Sequence, residues 1–110
     1  MSKKIRSKWK PYTITYIKEH ESDNLGIYEI ANQNKQTLDY GQGKVRTRLI
    51  DQNPNNAHTN KETVWTGKFY RSQYTRSKLS SKQRERGLQK RYKKEHKGKL
   101  PPKNKRLGDL

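Results

Sequence analysis

Apolar and polar positions alternate most clearly in the segment Leu-Gly-Ile-Tyr-Glu-Ile-Ala, which is rich in β-forming side chains. This pattern predicts a strand at Leu25–Ala31, a polar turn at Asn32–Lys35 and a returning strand at Gln36–Tyr40. The three segments together make a β-hairpin. The Gly-Gln-Gly run at 41–43 is expected to break the second strand.

The next part of the chain predicts one short helix and one further strand. Lys44–Gln52 suits a helix because Val45 and Leu49, spaced i, i+4, form one apolar face. Asn53–Lys61 has no periodicity and is interpreted as a loop. Val64–Tyr70 is predicted as the third strand.

A longer helix is predicted from Ser80 to about His96. Ser80 with Gln83 resembles a capping box, and Leu88 and Tyr92 form a narrow apolar seam. The Lys-Gly pair that follows His96 ends the helix, and the later Pro-Pro pair prevents it from restarting. The element order predicts a small fold of the α/β class (α+β type), with basic extensions at both ends.

Composition adds a strong charge imbalance to this picture. The 110 residues include 27 Lys and Arg against 10 Asp and Glu, a formal net charge of +17, and only 26% of them are hydrophobic. A compact chain with that charge repels itself, so an external polyanion is expected to neutralise it. Nucleic acid, with a negative charge at every nucleotide, is the natural partner.

The charge is concentrated in the C-terminal part of the chain. Residues 67–110 hold 16 basic and 3 acidic side chains, whereas residues 1–66 hold 11 and 7. We therefore expect most phosphate contacts in the C-terminal part. The predicted nucleic-acid-binding residues are Lys3, Lys4, Arg6, Lys8, Lys10, Lys44, Arg46, Arg48, Arg71, Arg76, Lys82, Arg86, Lys90, Arg91, Lys93, Lys94, Lys97, Lys99, Lys103, Lys105 and Arg106.

The N-terminal segment Ser2–Pro11 contains five basic residues and no acid. It is interpreted as an arm that is disordered alone and becomes ordered on a polyanion. Trp9 and Tyr12 can either stack on bases or anchor the arm to the core, and the anchor is favoured because burial is the commoner fate of a lone aromatic side chain.

Several classes of protein are disfavoured by what the sequence lacks. Cysteine is absent, which rules out a disulfide partner and thiolate metal sites. No apolar run has the length of a membrane span, and the first ten residues have no apolar core of a secretory signal. We expect no membrane partner and a cytoplasmic location.

Four sequence blocks in order resemble the GIY-YIG nuclease family. They are Gly26-Ile27-Tyr28, then Tyr40-Gly41, then Arg48 on the next predicted helix, and finally a block that begins at Glu85 and ends in Leu-Pro-Pro and Asn104. The likeness spans roughly residues 25–106. It divides the chain into a basic arm and lead-in (residues 1–24), a GIY-YIG-like domain (25–98) and a basic tail (99–110).

The resemblance implies a three-stranded antiparallel sheet flanked by helices, and metal-assisted cleavage of a phosphodiester. The implied catalytic residues are Tyr28, Arg48 and Glu85, with Glu85 holding one Mg²⁺ or Mn²⁺ ion. A carboxylate suits a hard cation, guanidinium suits the charge that develops on phosphate, and a phenol can relay a proton.

The sequence also departs from the family's pattern. The second motif should contain Tyr-Ile-Gly, but Asp39-Tyr40-Gly41 occupies those positions. Because strand side chains alternate between faces, Tyr40 cannot replace the missing tyrosine without a one-residue slip. Asp39 and Tyr40 remain candidate catalytic residues. Gln52 stands near where many members carry a histidine.

Two functions follow from these observations. The favoured one is a binding module that uses a degenerate GIY-YIG scaffold to bind structured RNA, such as ribosomal RNA, without a cofactor. The alternative is a small metal-dependent endonuclease that acts on DNA or RNA. RNA is favoured over DNA as the partner, although no recognition motif for either is present.

Overall fold

The computed structural model describes residue 5 and residues 7–55, 64 and 66–102. The fold is α+β, with a four-stranded antiparallel sheet and three helices. The elements are β1 (Lys10–Pro11), α1 (Ile14–His20), β2 (Leu25–Ala31), β3 (Thr37–Lys44), α2 (Val45–Asp51), β4 (Phe69–Tyr74) and α3 (Lys78–Glu95).

The strands lie in the order β1-β4-β2-β3, so the predicted first strand, β2, is central and β3 lies at an edge. The sheet has one more strand than the sequence predicted. The additional strand is β1, which pairs Lys10 with Tyr70 and Pro11 with Phe69. A two-residue edge strand has no detectable alternation, and its proline is tolerated only at an edge.

β3 begins near the predicted residue but runs on to Lys44, so the expected break at Gly41–Gly43 is wrong. Gly41 pairs with Tyr28, and Gly43 pairs with Gly26. The glycines occur in the strand because other side chains occupy the space beside them, as described below, and not because the chain turns there.

The third predicted strand is displaced along the chain. Val64 is buried, but its backbone N–H donates to the carbonyl of Gln52 and not to the sheet. Strand pairing begins five residues later, where Phe69 lies opposite Ala31 in the centre of the sheet. The strand that forms is β4, and its pattern of alternating burial begins at Phe69.

Both predicted helices are present. α2 lies within the predicted range and buries Val45 and Leu49 as expected. α3 starts earlier than predicted, because Ser77 and not Ser80 is the N-cap; its side chain accepts from the Ser80 N–H. Beyond its last turn, the Gly98 N–H donates to the Lys93 carbonyl, a C-terminal motif that requires the positive φ of 56° found at Lys97.

The N-terminal region is more structured than the sequence suggested. α1 was not predicted, although Thr13 caps it by accepting from the Tyr16 N–H. Residues of the arm contact the fold: Ile5 is buried, and Ser7 Oγ donates to the Ser72 carbonyl at 2.9 Å. That the arm is disordered without a polyanion stays a prediction. Tyr12 is buried and donates to the Leu49 carbonyl, as the predicted anchor should.

Apolar clusters lie on both faces of the sheet. The larger one packs α1 and α2 against β2 and includes Ile17, Tyr28 and Leu49. The smaller one packs α3 and Ile5 against the opposite face. The edge strand β3 is therefore bordered by α2 on one side and by α3 on the other. Among the described residues, no helix has the length and apolar character needed to cross a membrane.

Candidate functional site

The edge strand β3 has two glycines whose missing side chains make room for functional groups. A Cβ at Gly41 would lie 2.1 Å from the hydroxyl oxygen of Tyr28, and a Cβ at Gly43 would lie 3.2 Å from Nε of Arg48. Gly43 also has a φ of 126°, which favours glycine. The sequence Gly-x-Gly in β3 therefore positions a phenol and a guanidinium beside the same strand.

Tyr28 lies on β2 in the larger apolar cluster, and only 2% of its surface is exposed. Its hydroxyl donates to Oε1 of Gln52 at 3.2 Å. Burial raises the pKa of the Tyr28 phenol well above its usual value, and the negative charges of Asp39 and Glu85 raise it further, while Arg48 opposes them. A phenol with so high a pKa is a hydrogen-bond donor at neutral pH and does not give up its proton.

Asp39 and Tyr40 lie on opposite faces of the sheet. Asp39 pairs with Ile30, two residues beyond Tyr28 on β2, so it shares the face of Tyr28. Tyr40 packs in the other cluster and makes an edge-to-face contact with Tyr92, at 6.3 Å between ring centroids. Tyr40 thus lies on the face opposite Tyr28, as strand alternation predicts, and packs against α3. Asp39 shares the face of Tyr28.

Arg48 and Glu85 approach the β3 edge from different helices. Arg48 is exposed on α2, and Glu85 is half-buried on α3. Burial raises the pKa of Glu85 to about 7, although the positive charges of Arg48 and Lys82 lower it. The charges of Arg48 and Glu85 both act on the pKa of Tyr28, so the three residues that the resemblance selected influence one another electrostatically.

Glu85 provides few of the ligands that a divalent cation needs. No group of three or more His, Cys, Asp or Glu side chains that could hold a metal is found in the described part of the chain. Mg²⁺ is commonly held by one or two carboxylates together with substrate phosphates and water. Glu85 fits that pattern only as a single ligand, and the neighbouring cations Arg48 and Lys82 disfavour a metal ion in the absence of phosphate.

Most predicted phosphate contacts in the described region belong to α3 and the turn that follows it. Between residues 78 and 99 the chain has ten basic and two acidic side chains. The exposed cations of this segment are Lys78, Lys90, Lys93, Lys94, Lys97 and Lys99. Arg91 pairs with Glu95 one turn later, at 3.3 Å. We call residues 78–99, together with Arg48 of α2, the basic surface.

The remaining predicted contacts have different surroundings. Lys10 and Arg71 form ion pairs with the buried carboxylates of Glu21 and Glu29, at 3.2 and 2.6 Å, so part of their charge is neutralised within the fold. Arg46 is half-buried, whereas Lys44 and Arg76 are exposed and extend the positive charge around the end of the sheet. Six predicted contacts lie outside the described residues: Lys3, Lys4, Arg6, Lys103, Lys105 and Arg106.

Two buried carboxylates were not recognised from the sequence. Glu21 accepts hydrogen bonds from the hydroxyls of Tyr70, Ser72 and Tyr74, and Glu29 accepts from Thr37 as well as pairing with Arg71. The Glu29–Arg71 pair follows from strand register, which the sequence alone did not give. The sequence does indicate a buried carboxylate at Glu29, since this acid lies in an otherwise apolar strand.

The chain was compared with protein-family models, with curated proteins and with solved structures, and nothing in any of the three matches it.

Proposed function

We propose that this protein binds nucleic acid, with RNA favoured over DNA, through the basic surface of α3 and α2. The observation that carries the proposal is the exposed charge of residues 78–99, where ten cations accompany two carboxylates. One of these carboxylates is Glu85, whose raised pKa of about 7 leaves it only partly ionised at neutral pH. A surface of this sign and density attracts the phosphate backbone.

The fold's other carboxylates support the same conclusion. Glu21 and Glu29 are 6% and 1% exposed and already hold Lys10 and Arg71, so they are not available to neutralise α3. Asp23 is exposed and accepts from Thr47 on α2. Arg91 of the basic surface pairs with Glu95, and a polyanion would compensate the charge of the exposed lysines with the release of counterions.

The preference for RNA rests on composition. A small, very basic chain with basic extensions at both ends is typical of proteins that bind structured RNA, including the RNA of the ribosome. In this proposal the GIY-YIG-like scaffold is retained as a rigid support, and Arg48 acts as a phosphate contact at the β3 edge. The proposed location is the cytoplasm.

The direct test measures fluorescence anisotropy of labelled hairpins in RNA and DNA form, with the same sequence and at physiological salt. Saturable binding that is tighter for the RNA hairpin supports the proposal. Co-migration of the protein with ribosomal particles on a sucrose gradient, retained at moderate salt, would identify the ribosome as the partner. Absence of saturable binding to either hairpin would contradict the proposal.

A second candidate function is metal-dependent cleavage of a phosphodiester. The observation that favours it is that the charges of Arg48 and Glu85 both act on the pKa of the buried Tyr28 phenol. In that case Glu85 would hold one divalent metal, which supplies positive charge to the phosphate. Arg48 would stabilise the anionic phosphate, and Tyr28 would donate a hydrogen bond. The burial of Tyr28 and the aspartate at position 39 place this function second.

A further inference from the structure

Trp9 occupies an unusual position for so large an apolar side chain. It belongs to neither apolar cluster, and its surface is only partly covered. The described contact of its indole is with the Arg71 guanidinium, whose central carbon lies 4.1 Å from the ring centroid. Because indole burial is a large source of stability, a half-buried tryptophan outside both apolar clusters calls for a reason other than core packing.

The polar groups behind the indole hold it in place. Arg71 Nε donates to Oε1 of Glu29 at 2.6 Å, and the Thr37 hydroxyl donates to the other oxygen of the same carboxylate. Glu29 is only 1% exposed. The guanidinium is therefore anchored in the sheet, and it forms a flat backing for the ring of Trp9.

The backbone on either side of Trp9 is also fixed. Ser7 exchanges two hydrogen bonds with the backbone of Ser72, at 2.9 and 3.3 Å. Lys10 pairs with Tyr70 as part of β1. The indole is thus preorganised beside Arg71 of β4, so a ligand that stacks on it does not have to order it first.

We propose that Trp9, backed by Arg71, is a stacking platform for an unpaired nucleobase. The inference rests on the proposed function and specifies its substrate as RNA with single-stranded segments. Aromatic side chains backed or flanked by cations are the usual platforms for unpaired bases, because every base has a π-face. The exposed Lys8, next to Trp9 in the chain, is placed to meet the phosphate of the stacked nucleotide.

The experiment compares Trp9→Leu with Trp9→Phe, which have similar apolar bulk and differ in aromatic character. Each variant is titrated with oligouridine, with double-stranded RNA and with heparin, a polyanion that has no bases. Trp9→Leu should lose about 5- to 150-fold in affinity for oligouridine, the range expected for one base–aromatic stack, and Trp9→Phe should recover most of it. Affinity for heparin and for the duplex should change less than about two-fold in both variants.

A spectroscopic measurement provides an independent readout. The chain has two tryptophans, so Trp65→Phe isolates the fluorescence of Trp9. Saturating oligouridine should quench that emission, whereas heparin should not. Equal oligouridine affinities for the two Trp9 variants, or equal losses on heparin, would overturn the stacking platform and leave the basic surface standing. A wild-type protein that binds none of the three ligands would overturn both proposals.

Discussion

Gly41 stands directly opposite Tyr28 in the β2–β3 pair, and a Cβ at Gly41 would lie 2.1 Å from both Cζ and the hydroxyl oxygen of the Tyr28 ring. The ring therefore crosses the neighbouring strand at a position that has no side chain. This arrangement explains how a full-sized tyrosine is buried on β2 and still reaches Gln52 on the far side of β3.

We predict that Gly41→Ala destabilises the protein by about 1–3 kcal/mol or more, because the ring must leave its position or the strands must separate. Chemical denaturation measures the change. The double variant with Tyr28→Leu provides the control, since a shorter side chain does not reach Gly41. If Gly41→Ala costs as much in the Tyr28→Leu background as in the wild type, the contact is not the reason for the glycine.

Much of the fold could be predicted from alternation and helix periodicity. β2 begins and ends where its alternating pattern predicted. Val45 and Leu49 are both buried on α2, as their i, i+4 spacing predicted. β3 was shortened because a Gly-x-Gly run usually marks a turn, and only the packing of Tyr28 shows that it continues the strand. β1 depends on register with β4, which is a long-range property that local patterns do not contain.

The sequence nominated residues for the candidate site. Tyr28, Arg48 and Glu85 were selected from sequence, and their assignment to one site stays a prediction. The burial of the Tyr28 phenol could not be foreseen, since an aromatic residue in a strand faces either the core or the solvent. Lys82 was predicted as a phosphate contact, but its effect on Glu85 depends on how α3 lies against the sheet.

A second prediction concerns the buried carboxylate of Glu21. Burial raises the pKa of Glu21, but hydrogen bonds from Tyr70 and Tyr74 and the charge of Lys10 outweigh that effect, and the net pKa is lowered. A pKa that is lower in the folded state gives stability that is present above the unfolded value of 4.5 and is lost as the pH falls through the folded value. Glu21→Gln should remove this part of the acid dependence.

At neutral pH, Glu21→Gln should cost about 1–3 kcal/mol, because an amide cannot accept all the hydrogen bonds that the carboxylate accepts. Thermal unfolding from pH 7 to pH 3 measures both effects. The matched control is Glu19→Gln, which removes the same charge from an exposed residue two positions earlier in the chain. It should have little effect on stability. An unchanged acid profile in Glu21→Gln would refute the role of this network.

The face that packs against α3 gives a third prediction. Ile27 is fully buried between β2 and α3. Ile27→Asp should destabilise the protein by about 3–5 kcal/mol, because it buries a carboxylate without a partner. Leu79→Asp is the control, since Leu79 is 56% exposed on the first turn of α3. Circular dichroism in urea compares the two, and equal stabilities would show that the packing of α3 on β2 is misassigned.

A fourth prediction separates binding from catalysis. Purified protein with Mg²⁺ or Mn²⁺ should not cleave plasmid DNA, single-stranded DNA or structured RNA above background. Glu85→Ala should behave like the wild type in this assay, because a binding module does not use Glu85 to hold a metal ion. Metal-dependent cleavage that Glu85→Ala abolishes would establish the nuclease and displace the binding module as the main function.

The central claim, that the basic surface of α3 neutralises phosphates, is tested most directly by the salt dependence of RNA affinity. The measurement compares Lys90→Gln/Lys93→Gln with Lys18→Gln/Lys68→Gln, two pairs of exposed lysines of which only the first lies on the basic surface. On a single-stranded RNA, the slope of log affinity against log salt should fall by about 1.4 for the α3 pair, roughly 0.7 for each lost phosphate contact. The control pair should leave the slope unchanged. Equal slopes for both pairs and the wild type would contradict the account.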